Sequence, residues 1–303
     1  MLSAKKRKTI LSINGKIIPL EKANVSVFDR SFLYGDSLYE VVRTYEGKPF
    51  RLKEHLARME KSAALCQMKF SQPTKVYERE MLKCIAAYRA QPGKKNEDVY
   101  CRIIVSRGSG KIGFGLKNLE SETLYVVMVE PISMYPNPPM TKGLKLQVSK
   151  RVRNHPKATD PAMKSGNYLN SLLSYLTAAN AGYDDALMPD QQGFVTEGTT
   201  FNIFYVKRGI VATPPLDVGI LDGVTRRAII NLCVQLGIPC REVRFPKEYM
   251  YDADEVFASS SLKEVLPVYN LDGHKINGGK LGPVAVTLKA AFDELVKNEL
   301  KLG

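Results

Sequence analysis

Lys164-Ser165-Gly166-Asn167-Tyr168-Leu169-Asn170-Ser171-Leu172-Leu173 is the stretch around which the rest of the chain can be ordered. A breaker-rich run, Asn154-His155-Pro156 through Asp160-Pro161, stops just before it. An apolar helix begins just after it. Leu169, Leu172, Leu173 and Leu176 recur at helical spacing, and Ala181-Gly182 closes the helix. A lysine held at such a junction, beside a tyrosine and an asparagine, can serve as a nucleophilic amine instead of a solvated charge. That reading requires partners elsewhere in the chain.

The chain has 303 residues, 44% of them hydrophobic, enough for one large or two medium cores. No apolar run approaches a membrane span and no signal peptide is visible, so no membrane partner is expected. Met1 to Lys8 is basic (Lys5, Lys6, Arg7, Lys8) and reads as a solvated arm. The five cysteines and three histidines show no metal-ligand spacing. An odd cysteine count without a signal points to reduced thiols and a cytoplasmic location. Cys66, Cys84 and Cys233 fall on apolar helix faces and read as core residues. The formal net charge of +13 favours anionic partners. The basic residues are spread along the chain rather than clustered with aromatics, which argues against nucleic acid and for small molecules bearing carboxylate or phosphate.

Thr9 to Ile18 alternates around Asn14-Gly15, a hairpin signal. Asn24 to Phe28 reads as a short strand, Asp29 to Asp36 as a polar connection, and Ser37 to Tyr45 as a strand. Leu52 to Met68 is expected to be helical, with Leu52, Leu56, Met59, Ala63 and Cys66 in one stripe. Arg58 lies off that stripe and from the helix alone reads as solvated. A second helix is expected over Val76 to Arg89, and strands over Val99 to Ser106 and Leu124 to Val129. Between those strands Arg107 to Gly115 carries four glycines and reads as a flexible active-site or interface loop.

Pro131 to Pro139 is proline-rich and reads as a linker. Beyond it strands are expected over Leu144 to Val148, Asp185 to Met188 and Glu255 to Ala258. Val224-Thr225 opens a helix with Ile229, Ile230, Cys233 and Leu236 inward, and Val284 to Leu300 closes the chain as an amphipathic helix. This mixture predicts an α+β fold. A small N-terminal α/β domain spans 1–131, a linker 132–141, and a larger second domain 142–303.

If Lys164 links covalently to pyridoxal phosphate, the chain must also supply a carboxylate for the pyridine nitrogen, a donor for the ring hydroxyl and a cup for the phosphate. Glu197, beside Gly198 in what reads as a polar turn, is a candidate carboxylate. Val224-Thr225 offers free N–H groups at a helix start, Ser260-Ser261 adds hydroxyls, and Tyr168 is a nearby phenol. Each has a plainer alternative: a solvated acid, a helix cap, an ordinary turn.

The order of motifs removes much of that ambiguity. Lys164-Ser-Gly-Asn-Tyr-Leu is followed by Thr196-Glu197-Gly198 with Asn202-Ile203-Phe204, and then by Thr213-Pro214-Pro215. Gly219-Ile220-Leu221-Asp-Gly-Val-Thr-Arg226 and Ala253-Asp254-Glu255-Val256-Phe257, with Glu264 and Pro267, come next. The series resembles class IV (fold-type IV) pyridoxal phosphate aminotransferases over nearly the whole chain, Tyr34-Gly35-Asp36 and Glu54-His55-Leu56-Ala57-Arg58 included. The resemblance implies that Lys164 forms the covalent link, Glu197 pairs with the ring nitrogen, Tyr168 bonds the ring hydroxyl and Leu221 packs on the ring. It implies that Arg58, Val224, Thr225, Ser260 and Ser261 hold the phosphate, which reverses the solvated reading of Arg58. Tyr34, Tyr39, Tyr100, Arg102, Arg107 and Leu262 then line the substrate site.

The Tyr100-Cys101-Arg102 pattern is similar to branched-chain aminotransferases, so branched-chain amino acids with 2-oxoglutarate are the expected substrates. Leu38-Tyr39-Glu40-Val41-Val42 looks like D-amino acid transaminases, and Ser106-Arg107-Gly108-Ser109-Gly110 like 4-amino-4-deoxychorismate lyase. Those two activities are the alternatives. Lys164 is followed by only two residues before Asn167, one fewer than in bacterial branched-chain enzymes. The family also implies a homodimer, with a cleft between domains lined by a partner loop that Arg107 to Gly115 resembles.

Overall fold

In the computed structural model the described residues are 9–135 and 137–302, so the basic arm over 1–8 lies outside them. Two compact units divide the chain: Met1–Pro136 with Met163–Asn167, and Asn137–Ala162 with Tyr168–Gly303. The lysine stretch thus groups with the first unit, apart from the residues that flank it.

The first unit is built on strands β1 (Ile10–Ile13), β2 (Lys16–Ile18), β3 (Ser37–Tyr45), β4 (Lys48–Pro49), β5 (Val99–Ser106) and β6 (Leu124–Pro131). They form one antiparallel sheet in the order β2-β1-β6-β5-β3-β4. Helices α1 (Arg30–Tyr34), α2 (Leu52–Leu65) and α3 (Thr74–Arg89) complete it. The expected stripe of α2 is buried at Leu52, Leu56, Met59 and Ala63, with Cys66 partly buried beside it. Together with Tyr77, Met81, Cys84 and Tyr88 of α3 it packs against Val42, Cys101, Ile103, Val127 and Val129 of the sheet. Each large side chain buried there contributes about 1.5–3 kcal/mol.

Two expectations fail in this unit. Residues 24–28 form no strand: Val25, Val27 and Phe28 are exposed, with no neighbouring strand to pair with among the described residues. The stretch 29–36 is more than a connection. Asp29 accepts from the Ser31 N–H at 2.8 Å and caps α1, which Gly35 ends in the left-handed region.

The second unit holds β7 (Leu144–Val148), α4 (Leu169–Asn180), β8 (Asp185–Pro189), β9 (Val195–Gly198), β10 (Asn202–Lys207) and β11 (Ile210–Thr213). Next come α5 (Val224–Gln235), β12 (Cys240–Glu242), α6 (Glu248–Tyr251), β13 (Glu255–Ser260), β14 (Glu264–Leu271), β15 (His274–Lys275) and α7 (Pro283–Leu300). The strands make a mixed nine-stranded sheet, β12-β11-β10-β13-β14-β7-β8-β9, with β15 on β14. Parallel pairs are β11 with β12 and β7 with both β14 and β8. The fold is α+β, as expected. Its core gathers Leu146, Leu187, Ile203, Val256, Ala258, Leu266 and Val268.

Three readings need correction here. Glu197 lies inside β9 and is buried, not in a turn. Leu236 is exposed beyond the end of α5, and Leu232 takes its inward place. The leucine stripe of α4 faces outward: Leu169, Leu172 and Leu176 are 67%, 48% and 44% exposed. The buried side of α4 is Ser171, Ser174 and Ala178. Ser149 and Arg153 are the cause, since their hydrogen bonds to Ser174 and Ser171 turn the polar face of α4 inward.

Candidate active site

Candidate residues occur in both units. In the first, the lysine stretch adds an antiparallel rung to the start of β3. The Tyr39 N–H donates to the Lys164 carbonyl at 3.0 Å and the Gly166 N–H to the Ser37 carbonyl at 2.8 Å, around a Leu38–Ser165 bridge. The approach is too close for side chains at two points. A Cβ on Gly166 would come within 2.4 Å of the Ser37 hydroxyl, and one on Gly35 within 2.4 Å of Asn167 Oδ1. The Lys164 N–H donates to Ser62 Oγ at 3.1 Å, which ties the segment to α2 as well.

The Lys164 amine donates to the Tyr39 hydroxyl at 3.1 Å and lies 4.2 Å from the centre of that ring. The Arg102 guanidinium lies over the same ring at 4.0 Å and donates to the Tyr100 hydroxyl at 3.4 Å. Tyr100 stacks on Tyr135, whose hydroxyl donates to Glu130. Burial pushes the Tyr100 phenol up. Four expected residues (Lys164, Tyr39, Arg102 and Tyr100) therefore sit together.

Arg58 is buried, contrary to the solvated reading from the helix period alone. Its Nε and Nη2 donate to Glu40 at 2.7 and 2.8 Å. His55 Nδ1 lies 2.8 Å from the same carboxylate and donates to it when the proton is on that nitrogen. Burial works to raise the Glu40 carboxyl, but the Arg58 charge and hydrogen bond overcome it and hold it far below the usual range. Burial pulls the His55 imidazole below its ordinary value of 6.5, and Glu40 only partly offsets this.

Both shifts have the same consequence for acid stability. The folded protein holds the His55 proton more weakly than the unfolded chain does, so this contribution is intact above about pH 6.5 and is lost as pH falls. The Glu40 contribution is intact above about pH 4.5 and is lost below it. Urea midpoints should drop between pH 6.5 and 5, and that drop should be smaller in His55→Gln. Equal drops in the two proteins would contradict the assignment.

Tyr34 and Arg107 belong to a separate cluster around Asp36. Arg107 donates to Asp36 at 2.7 Å and to the carbonyls of Cys66 and Gln67, both at 2.8 Å. Arg30 adds a second guanidinium at 2.9 Å. Burial would raise the Asp36 carboxyl, but the two arginines hold it low. The Tyr34 hydroxyl accepts from the Gly113 N–H at 2.9 Å. Arg107, expected to meet substrate, thus ties its loop to the end of α2.

In the second unit Glu197 is the centre. Its Oε1 takes Arg153 Nε and Nη2 at 3.0 and 2.9 Å. Its Oε2 takes the Leu221 N–H at 3.1 Å and Asn202 Nδ2 at 3.3 Å. Arg153 also reaches Ser171. Tyr168 immediately precedes α4 as its N-cap. Ser259 pairs directly with Asn202 across β13 and β10, so the two side chains share a sheet face. The buried Ser259 hydroxyl has no hydrogen-bond partner among the described residues. Val224 and Thr225 open α5, where no side chain caps the first N–H groups. Ser260 ends β13, and Ser261 and Leu262 follow in the turn to β14, where the Leu262 carbonyl accepts from Asn137 at 2.6 Å.

These donors fit pyridoxal phosphate. The reactive amine is held by a phenol and, among the described residues, by no carboxylate. A buried carboxylate is fixed in place by Arg153, Asn202 and the Leu221 N–H. An uncapped helix start, with serine hydroxyls in the same unit, suits an anion. Sequence reasoning missed Glu40, His55, Arg153, Tyr135 and Ser259. His55 had one usable signal, its spacing three residues before Arg58 on α2. Arg153 had none, lying in an irregular run.

Comparison with known proteins agrees. The amino-transferase class IV family matches residues 37–271. A putative branched-chain-amino-acid aminotransferase of Methanocaldococcus jannaschii is 36% identical over 93% of this chain and 95% of its own length. The branched-chain-amino-acid aminotransferase of Salmonella typhimurium is 33% identical over 97% of this chain and 95% of its own. The solved structure of a T.th. branched-chain amino acid aminotransferase with pyridoxamine 5'-phosphate matches at a TM-score of 0.86 and 30% identity, covering 95% of this chain and 94% of that one. The chain belongs to the class IV aminotransferase family. Its architecture is that of the fold-type IV enzymes.

Proposed function

We propose that the protein transfers the amino group of a branched-chain amino acid to a 2-oxo acid such as 2-oxoglutarate, using pyridoxal phosphate. One observation carries this reading: the Lys164 amine lies opposite Tyr39, bonded to a phenol, with Arg102 over the same ring. The names of the relatives supply the substrate class.

When bound, the cofactor supplies an electron sink for charge developing at the substrate α-carbon. Lys164 would hold it covalently, Glu197 its ring nitrogen and Tyr168 its ring hydroxyl. Arg58, Val224, Thr225, Ser260 and Ser261 are the phosphate ligands in this reading, and Leu221 the ring contact. The Arg102 guanidinium, with Tyr100, attracts and orients the substrate carboxylate. Lys164 Nζ would take the proton from the substrate α-carbon and deliver it to the carbon that was the cofactor's aldehyde. Arg107 acts by fixing its loop against α2, and the same loop bonds Tyr34 through the Gly113 N–H.

We also infer a homodimer. Leu169, Leu172 and Leu176 of α4, and Ile112 and Phe114 of the glycine-rich loop with Leu116 just after it, are all exposed in the single chain. Five free cysteines are consistent with a reducing, cytoplasmic setting. Among the described residues no helix is long and apolar enough to cross a membrane.

The test is a panel of L- and D-amino acids with 2-oxoglutarate or pyruvate as acceptor. Leucine, isoleucine and valine in the L form should react fastest with 2-oxoglutarate. Preference for D-amino acids, or release of 4-aminobenzoate and pyruvate from aminodeoxychorismate, would overturn the reading.

A further inference from the structure

Position 39 on β3 offers more than a wall to the substrate. We propose that Tyr39 is the positioning residue of the Lys164 amine, holding it by one hydrogen bond in either protonation state. This rests on the reading that Lys164 carries the cofactor.

The backbone makes the pairing. Tyr39 and Lys164 are directly opposite in the antiparallel rung around the Leu38–Ser165 bridge. Directly opposed residues put their side chains on the same face. Two glycines that cannot become alanine without a clash, Gly35 and Gly166, hold that register. The Tyr39 side chain is buried, so its hydroxyl is presented from a fixed ring.

The chemistry of the phenol explains why this partner suits a reactive amine. An ammonium group donates to the phenol oxygen, as at the observed 3.1 Å. A neutral amine can instead accept the phenol O–H, since a phenol both donates and accepts. A carboxylate in the same place would favour the ammonium and offer the lone pair of the neutral amine no donor. A phenylalanine would keep the ring contact at 4.2 Å and lose the directional bond. Arg102, at 4.0 Å from the ring centre, holds the ring in place from β5.

The experiment follows formation of the covalent link in cofactor-free protein by absorbance after pyridoxal phosphate is added. In that step Nζ attacks the aldehyde carbon and one water leaves. Tyr39→Phe should form the link roughly three- to tenfold more slowly, the effect of one lost hydrogen bond. Site-specific 3-fluorotyrosine at position 39, which keeps the hydroxyl, should restore the wild-type rate. A Tyr39→Phe rate equal to wild type, or a slowed rate that fluorotyrosine does not restore, overturns the proposal.

A second measurement does not need the phenylalanine variant to fold. The 19F resonance of fluorotyrosine 39 should move when the cofactor links to Lys164 and when Lys164 is replaced by alanine. A resonance unmoved by both overturns the proposal. A wild-type protein that forms no link overturns the reading of Lys164 itself, and with it this inference. A link with no Tyr39 effect removes only the inference.

Discussion

Lys164→Ala is expected to abolish amino transfer while leaving the fold intact. The contacts that seat this residue are made by its main chain: its carbonyl accepts from Tyr39 and its N–H donates to Ser62. Alanine keeps both. The side chain is half-buried and forms no ion pair among the described residues, so the stability change should stay near or below about 1 kcal/mol. The activity change has two sources. The covalent anchor is lost, and so is the base at the substrate α-carbon, which alone accounts for about 10²–10⁴ in rate. Steady-state rates and thermal melts on the same preparation check both halves. Retention of substantial activity in a folded variant would remove Lys164 from the reaction.

The largest loss of stability should come from Glu40→Ala. Glu40 is fully buried and takes Arg58 through two hydrogen bonds at 2.7 and 2.8 Å and His55 through a third at 2.8 Å. Its removal leaves a buried guanidinium without its carboxylate, which costs about 3–5 kcal/mol when one partner of such a pair is deleted. Glu40→Gln keeps the shape and part of the bonding and should cost less. Adding Arg58→Met to Glu40→Ala should recover part of the loss, because the uncompensated charge goes with it. Urea unfolding of the four proteins tests this. A Glu40→Ala loss under about 1 kcal/mol, or no recovery in the double variant, would show that the network does not hold the unit together.

Much of the fold was legible because its strands follow simple patterns. Ser37–Tyr45, Val99–Ser106 and Leu144–Val148 have the boundaries expected from the sequence. β14 (Glu264–Leu271) carries no clear strand pattern, although it lies mid-sheet between β13 and β7. Its Pro267 and Asn270 break the pattern, and the ladder itself slips between Val268 and Asn270. The α4 leucines show the opposite failure. Their period is helical, but hydrogen bonds from Arg153 and Ser149 decide which face turns inward, and local spacing carries no trace of them.

The candidate site was legible as a list and not as an arrangement. Lys164, Tyr39, Tyr100 and Arg102 come from separate parts of the chain, and only strand pairing brings them together. Glu40 was invisible because a charge between Tyr39 and Val41 looks like an ordinary outward residue of a strand. It is buried because Arg58 and His55 approach from α2, a tertiary fact with no local signal. Arg107 went the other way. It sits in a glycine-rich loop, where an arginine suggests ligand contact, yet Asp36 and two helix-end carbonyls occupy it.

Covalent attachment of the cofactor to Lys164 can be read chemically. The protein is incubated with pyridoxal phosphate, reduced with borohydride, digested and mapped by mass spectrometry. The added pyridoxyl mass should appear on the peptide containing Lys164 and on no other lysine peptide in stoichiometric yield. A stoichiometric label on a different lysine, or none at all, would contradict it.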